Sequence, residues 1–393
     1  MARAHDWKDT NKSNRVLRAA RDGQYGVIAA IAYNIENILG FIKAAEIAKS
    51  PIIIQFFPWA VKYSSGLLIR TAADAISRSP MCDHIVLHMD HAQDYDFIKK
   101  SADELPFDSI MVDMSHYEKE DNLHKTRELV AYCQERGIAT EAEPGRIEGG
   151  EDGVIDTAEL EGSKTTPEEI EDFISTGVDG LAPAFGNCHG EYDANGPQLD
   201  FPRLQQIRRN IRDRVHIALH GTNGFSSELL QRCIAEGCTK INVNRLVLDD
   251  YYAHLKENAS KATHTQLMEE GTEKVLRYPS FNLASVLKEP TPRITGCYDY
   301  QQFINPADRL HGSLDATILK ILRFILASER NTCVSPLSPI DFVSTHTIIQ
   351  ARKPAINIAM ETTKKEQSKV LYSMSSSKGR QTSSSMSSRV NNE

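Results

Sequence analysis

The chain has 393 residues, enough for one barrel-sized domain of about 250 residues with material to spare. Hydrophobic residues make up 40% and charged residues 25%, an ordinary balance for a globular fold. A formal charge of −8 gives no footing for nucleic acid or an anionic membrane as partner.

Residues 1–12 are polar and lack the apolar core of a secretory signal. No run approaches the roughly 18 apolar residues that span a bilayer. The seven cysteines are odd in number and form no CxxC pair. They read as free thiols in a reducing, cytoplasmic setting.

From about residue 25 to 275, short apolar runs alternate with longer amphipathic ones. The runs predict strands over 26–33, 51–56, 84–89, 108–112, 137–143, 180–184, 215–220 and 239–243. Near-continuous Ile, Val, Leu and Ala suit parallel strands buried on both faces. Between them, 35–49 carries Ile38, Ile42, Ala45 and Ile47 as one helical stripe. The stretch 122–136 repeats the pattern with Leu123, Leu129, Val130 and Cys133. Thr166 precedes Pro167, Glu168 and Glu169, an N-cap with proline and acids in the first turn. A helix over 226–236 ends at Gly237. Eight strands alternating with eight helices predict a (β/α)8 TIM barrel over an open doubly wound sheet. The barrel is expected over residues 1–277, followed by a C-terminal extension over 278–363. An amphipathic stretch, 314–329, lies in that extension, and residues 364–393 form a Ser-rich basic tail expected to be disordered.

Six fragments sit at or just past predicted strand ends, on the barrel face that carries active sites. They are HMDH (88–91), DMSH (113–116), EAEPG (141–145), GNCHG (186–190), HGTNG (220–224) and NVNR (242–245). Taken singly, a histidine at a strand end is more often structural than a ligand. Convergence changes that reading. In a barrel, His91, His189 and His220 project into one bowl. Three imidazoles suit Zn2+ and leave a coordination position open. Asp113 and Glu143 add carboxylates beside them.

In this order and spacing, HMDHA, DMSH, EAEPG, GNCHG, HGTNG and INVN resemble the class II fructose-bisphosphate aldolases and the related tagatose-bisphosphate aldolases. The resemblance runs from about residue 15 to 277. It implies a zinc-dependent lyase that reversibly cleaves a ketose 1,6-bisphosphate, fructose 1,6-bisphosphate first, to dihydroxyacetone phosphate and an aldehyde such as glyceraldehyde 3-phosphate. That activity belongs to carbohydrate metabolism, glycolysis included. It implies that His91, His189 and His220 hold the catalytic zinc, with Asp113 and Glu143 at a second metal position. Asp90 matches the acid/base at the reacting aldehyde oxygen, and Glu151 the mobile-loop glutamate that moves the carbon-bound proton. Gly190, Gly221, Thr222, Asn223, Asn242, Val243, Asn244 and Arg245 match positions around the dihydroxyacetone phosphate moiety. A monovalent cation near the phosphate and a homodimer or higher homo-oligomer are also implied.

The chemistry accounts for these residue types. Aldol cleavage leaves negative charge on the ketone oxygen, which a Lewis acid stabilises. A carboxylate removes the hydroxyl proton of the bond-breaking carbon. A Gly-flanked glutamate can swing in and exclude water. No Schiff-base lysine is required.

Two positions depart from the resemblance. Phe57 stands where a substrate-contacting serine is usual, and Arg245 where a threonine is common. Arg245 could grip a phosphate, or it could open the next helix at the surface. A paralogous aldolase with a different ketose is therefore the alternative. A non-catalytic metal-binding scaffold is a second one, but it would need neither Asp90 nor Glu151.

Overall fold

The computed structural model describes residues 7–150 and 162–286, those after 275 as backbone alone. Eight parallel strands close into a barrel in sequence order. They are β1 (Val27–Ile31), β2 (Ile52–Phe56), β3 (Ile85–Ala92), β4 (Ser109–Val112), β5 (Ala139–Ala142), β6 (Gly180–Leu181), β7 (His216–Leu219) and β8 (Cys238–Val243). Among the described residues the helices are α1 (Trp7–Thr10), α2 (Lys12–Gly23), α3 (Ile35–Ala48), α4 (Pro58–Ser64), α5 (Leu67–Ser77), α6 (Tyr95–Glu104), α7 (Lys119–Gln134), α8 (Pro167–Ile174), α9 (Phe201–Ile211), α10 (Ser227–Ala235), α11 (Arg245–Asn258) and α12 (His264–Val286). The fold is the expected (β/α)8 barrel.

Strand periodicity sorts the side chains. Ile85, Leu87 and Met89 of β3 point outward into the main apolar cluster, with Ile52, Ile54 and Phe56 of β2. Helices cover that layer with Phe41, Ile69, Leu129 and Phe173. The inward set differs along the barrel axis. Val27, Ala29, Ile53 and Val86 make an apolar floor, closed from below by Val16, Leu17 and Ala20 of α2. Above the floor, Gln55, His88, Glu141 and Lys240 are buried in the lumen.

Helix ends follow local chemistry. Thr166 and Glu169 form a capping box, with Pro167 at the first position of α8. Gly237 follows α10 at φ +101°. Three differences from the sequence expectation have physical reasons. The strand expected over 84–89 runs on to Ala92, through a register shift between Met89 and Ala92. The strand expected over 180–184 stops at Leu181, because the Ala184 N–H donates to Thr165 Oγ1 rather than to a strand. Residues 7–23 form α1 and α2, and the segment after β2 forms both α4 and α5.

Helix α12 continues through the boundary expected at 277. The amphipathic stretch 314–329, the extension beyond 286 and the tail 364–393 lie outside the described residues. No helix of the described residues is long and apolar enough to cross a membrane.

Candidate metal centre and catalytic cleft

β3 supplies two neighbouring site residues, Asp90 and His91. Adjacent residues of a regular strand face opposite sides. Here the register shift accompanies a left-handed backbone at His91, φ +46°. Such a bulge re-aims a side chain, so both residues reach the lumen. His189 comes from the loop after β6, and His220 directly follows β7. Two glycines let the loops after β5, β6 and β7 meet. A Cβ at Gly221 (φ +66°) would lie 2.2 Å from the Cys188 carbonyl oxygen, and one at Gly149 (φ +89°) 2.2 Å from that of His189. The Tyr192 hydroxyl ties the loops together, donating to Gly221 O at 2.7 Å and accepting from Cys188 N at 2.9 Å.

The three histidines converge. His91 Nε2 stands 3.0 Å from His220 Nδ1, and His189 Nε2 is 3.5 Å from the same atom. The outer nitrogens of His91 and His220 are already engaged. His91 Nδ1 meets Asp113 Oδ2 at 2.9 Å, and His220 Nε2 meets Glu141 Oε1 at 2.9 Å. A carboxylate on the outer nitrogen fixes the tautomer and turns the other lone pair inward. Two inward nitrogens at 3.0 Å must share a positive charge between them, a proton on His91 or a metal ion in its place. The donor set therefore fits a metal ion, and Zn2+ suits three imidazoles.

The charge count agrees. Asp90, Asp113, Glu141 and Glu143 are all buried, and Lys240 is the only buried lysine or arginine among the described residues. Burial opposes charge on His91, but Asp90, Asp113 and Glu143 raise its pKa to about 10. Burial and Asp113 push Glu143 up to about 8. Glu143 Oε1 accepts from the Ile147 N–H at 2.8 Å, while Oε2 is buried without a partner. His91, Asp113 and Glu143 form a second group of converging ligand atoms. A cation in either position relieves this excess.

Asp90 is held from several sides. Its Oδ2 accepts from Gln55 Nε2 at 3.1 Å and from Asn242 Nδ2 at 3.0 Å. Lys240 Nζ lies 3.6 Å from Oδ1 and 3.0 Å from Glu141. Burial alone would raise the Asp90 carboxyl, yet Lys240, His91 and His88 hold it well below the usual range. Its Oδ2 is thus held in place and the charged form is favoured, the state a proton acceptor requires.

These residues border an open cleft. Asp90, His91, His189, Gly190, His220, Gly221, Thr222, Asn223, Asn242, Val243, Asn244 and Arg245 all line it. Arg245 opens α11 and lines the cleft. Its guanidinium pairs with Glu191 and, at 3.4 Å, with Asp249. Thr222 Oγ1 donates to the Asn242 carbonyl at 2.5 Å, fastening the β7 loop to β8. Glu151 lies outside the described residues.

Sequence reasoning missed Gln55, Lys240 and Glu141 as contributors. A period-two reading of the strands would have found two of them. His88 and Asp90, Glu141 and Glu143, and Lys240 and Asn242 are each two apart, so each pair shares a face. A lysine inside an apolar strand is itself a signal, since buried lysines are almost always paired.

Residues 11–279 match the family described as fructose-bisphosphate aldolase class-II. A Coccidioides immitis (strain RS) protein with a provisional fructose-bisphosphate aldolase name is 52% identical over 271 residues, covering 66% of this chain and 89% of that one. The fructose-bisphosphate aldolase of Streptococcus pneumoniae serotype 4 is 34% identical over 234 residues, 59% of this chain and 78% of its own. A crystal structure from Coccidioides immitis, provisionally named a fructose-1,6-bisphosphate aldolase, aligns with a TM-score of 0.69 at 49% identity, covering 71% of this chain and 96% of that chain.

Proposed function

Because the chain belongs to the class II fructose-bisphosphate aldolase family, a family of lyases, we propose that it is a zinc-dependent aldolase. It reversibly cleaves a phosphorylated ketose to dihydroxyacetone phosphate and an aldehyde. One observation carries this reading. The inward nitrogens of His91 and His220 face each other at 3.0 Å beside Asp90, whose Oδ2 is held by Gln55 and Asn242.

When bound, zinc would polarise the ketone oxygen as a Lewis acid. His91, His189 and His220 would hold it, with Asp113 and Glu143 at a second position. Asp90 takes the hydroxyl proton of the carbon whose bond breaks. Gln55 and Asn242 keep the accepting carboxylate aimed. Glu151 returns a proton to the carbon of the dihydroxyacetone phosphate half. The phosphate lies against Gly190, Gly221, Thr222 and Asn223 and the start of α11, where backbone N–H groups and the helix dipole favour an anion. A monovalent cation beside the phosphate and a homodimer or larger assembly belong to the same proposal.

Fructose 1,6-bisphosphate is the substrate that the family name suggests. A second reading, a ketose with a different far end, is favoured by Phe57, which is buried in the cleft wall and donates no hydrogen bond. The test is release of dihydroxyacetone phosphate from a panel of ketose phosphates, with and without chelator. Turnover that stops with chelator and returns with zinc supports the proposal. Full turnover in chelator would sink it.

A further inference from the structure

A cavity that shares no lining residue with the cleft lies at the other end of the barrel. It opens where the C-terminal ends of α2, α9 and α10 meet the first residues of β7 and β8. Its inner wall is apolar, with Ile211, Val215, Ile217, Ile234 and Cys238 all buried. Its rim is charged, with Arg21, Arg208 and Arg212 set against Asp22 and Asp213. Arg21 reaches Asp22 at 2.9 Å and the Asp213 carbonyl at 3.0 Å. Arg208 donates to the Ala235 carbonyl at 2.7 Å, with the Glu236 carboxylate at 3.8 Å. His216 also lines the cavity, and it is 9% exposed. Its Nδ1 is buried without a hydrogen-bond partner among the described residues. Such an atom is costly to leave unsatisfied. Burial, then Arg21 and Arg18, lower the His216 pKa, against Asp22 and Glu141. The arginines thus outweigh the acids at the ring. Beside it, the ladder between β7 and β8 shifts register between Ile217 and Ala218. Such irregularities gather at barrel rims and next to sites.

We propose that this cavity binds a small organic anion, its charged group held by Arg21, Arg208 and Arg212 and its apolar body against Ile211, Ile234 and the His216 ring. The ligand class follows from the two kinds of surface. A bare inorganic anion satisfies the rim and leaves the apolar wall wet. A neutral apolar molecule covers the wall and makes no use of the arginines. An organic anion uses both, the usual division of labour in a small-molecule site. Guanidinium forks suit the paired oxygens of a carboxylate or a phosphate. The site also has a route to the rest of the molecule. His216 borders a small polar cavity in the lumen, together with Glu141 and Lys240. It therefore stands as a partition, with the proposed ligand on one side and the carboxylate partner of His220 on the other. Strands β7 and β8 begin at this cavity and lead, at their far ends, to His220 and Asn242. The proposal does not depend on the aldolase reading, because no residue of the metal centre takes part.

The test titrates phenyl phosphate into the full-length, zinc-loaded protein carrying labelled isoleucine methyl groups. Ile211, Ile217 and Ile234 report on this cavity and Ile31 on the cleft, so one NMR experiment separates the two places. Each signal is assigned from its Ile→Val variant. Phenyl phosphate is expected to move the Ile211 and Ile234 signals to saturation, with a Kd distinct from any response at Ile31. Arg21→Gln and Arg208→Gln should each raise that Kd at least about tenfold, the scale of one charge-assisted hydrogen bond. His216→Phe should raise it as well. The Ile31 signal and the zinc content should stay as in the wild type, which shows that the variants are folded. Inorganic phosphate should bind at Ile211 and Ile234 at least about tenfold more weakly than phenyl phosphate, since it buries no apolar surface. Shifts confined to Ile31, or an unchanged Kd in both arginine variants, would overturn the proposal. Equal Kd values for the two probes would overturn the organic part of it.

Discussion

The outward and inward faces of the same eight strands carry opposite chemistries. Outward, Ile85, Leu87 and Met89 of β3 join an unbroken apolar layer under the helices. Inward and one residue out of phase, His88 and Asp90 stand among Gln55, Glu141 and Lys240. Burial is equal on both faces, so burial does not distinguish their roles. The apolar face holds the barrel together. The polar face spends stability on holding charged groups where chemistry needs them. Substitutions on the two faces should therefore fail differently.

The largest effect is expected at Asp90. Asp90→Ala should lower kcat/KM by about 10^2- to 10^4-fold, the scale of general acid–base catalysis. Zinc content should be retained, which steady-state kinetics with elemental analysis would check. Loss of zinc in this variant would shift Asp90 from proton transfer to metal retention.

On the apolar face, Phe173 of α8 is 1% exposed. Phe173→Ala should destabilise the protein by about 3–5 kcal/mol. Turnover per folded molecule should stay within about twofold, since a packing change far from the cleft shares no partners with it. Denaturant titration beside active-site-normalised kinetics measures both. A selective loss of turnover would blur the division between faces.

His216 probes the inward face below the site. It is buried and its Nδ1 has no partner. Burial, then Arg21 and Arg18, lower its pKa from 6.5 to about 4. A histidine with a depressed native pKa binds its proton more readily when unfolded. Its contribution is therefore complete above pH 6.5 and is lost as pH falls from 6.5 to about 4. Up to roughly 3 kcal/mol is involved at this shift. Between pH 7 and 4.5 the wild type should lose more stability than His216→Gln, by urea denaturation. Equal losses would mean that His216 does not titrate in this way.

The smallest effect is at the edge of the apolar layer. Thr166 accepts from the Glu169 N–H at 3.2 Å, and Glu169 accepts from the Thr166 N–H at 2.7 Å. Thr166→Ala should cost about 1 kcal/mol with unchanged kinetics.

Apolar runs made the outward face legible. All eight strands were expected, and the α8 cap was readable from Thr166, Pro167 and Glu169. Three histidines on three strand ends made the cleft legible as well. Three features were not. The left-handed turn at His91 is unmarked, because glycine usually holds such a backbone. Lys240 reads as one more strand residue until Glu141 is placed beside it across the barrel. Residues 7–23 give no strand pattern, and only the closed barrel explains why Val16, Leu17 and Ala20 are apolar. Each depends on a neighbour distant in sequence.

The central claim is that His91, His189 and His220 share one metal ion. Elemental analysis of the purified wild type, His189→Ala and His220→Ala tests it most directly. About one tightly held zinc per wild-type chain, falling to near zero in both variants, is expected for a three-histidine site. Equal zinc content in all three proteins would contradict it.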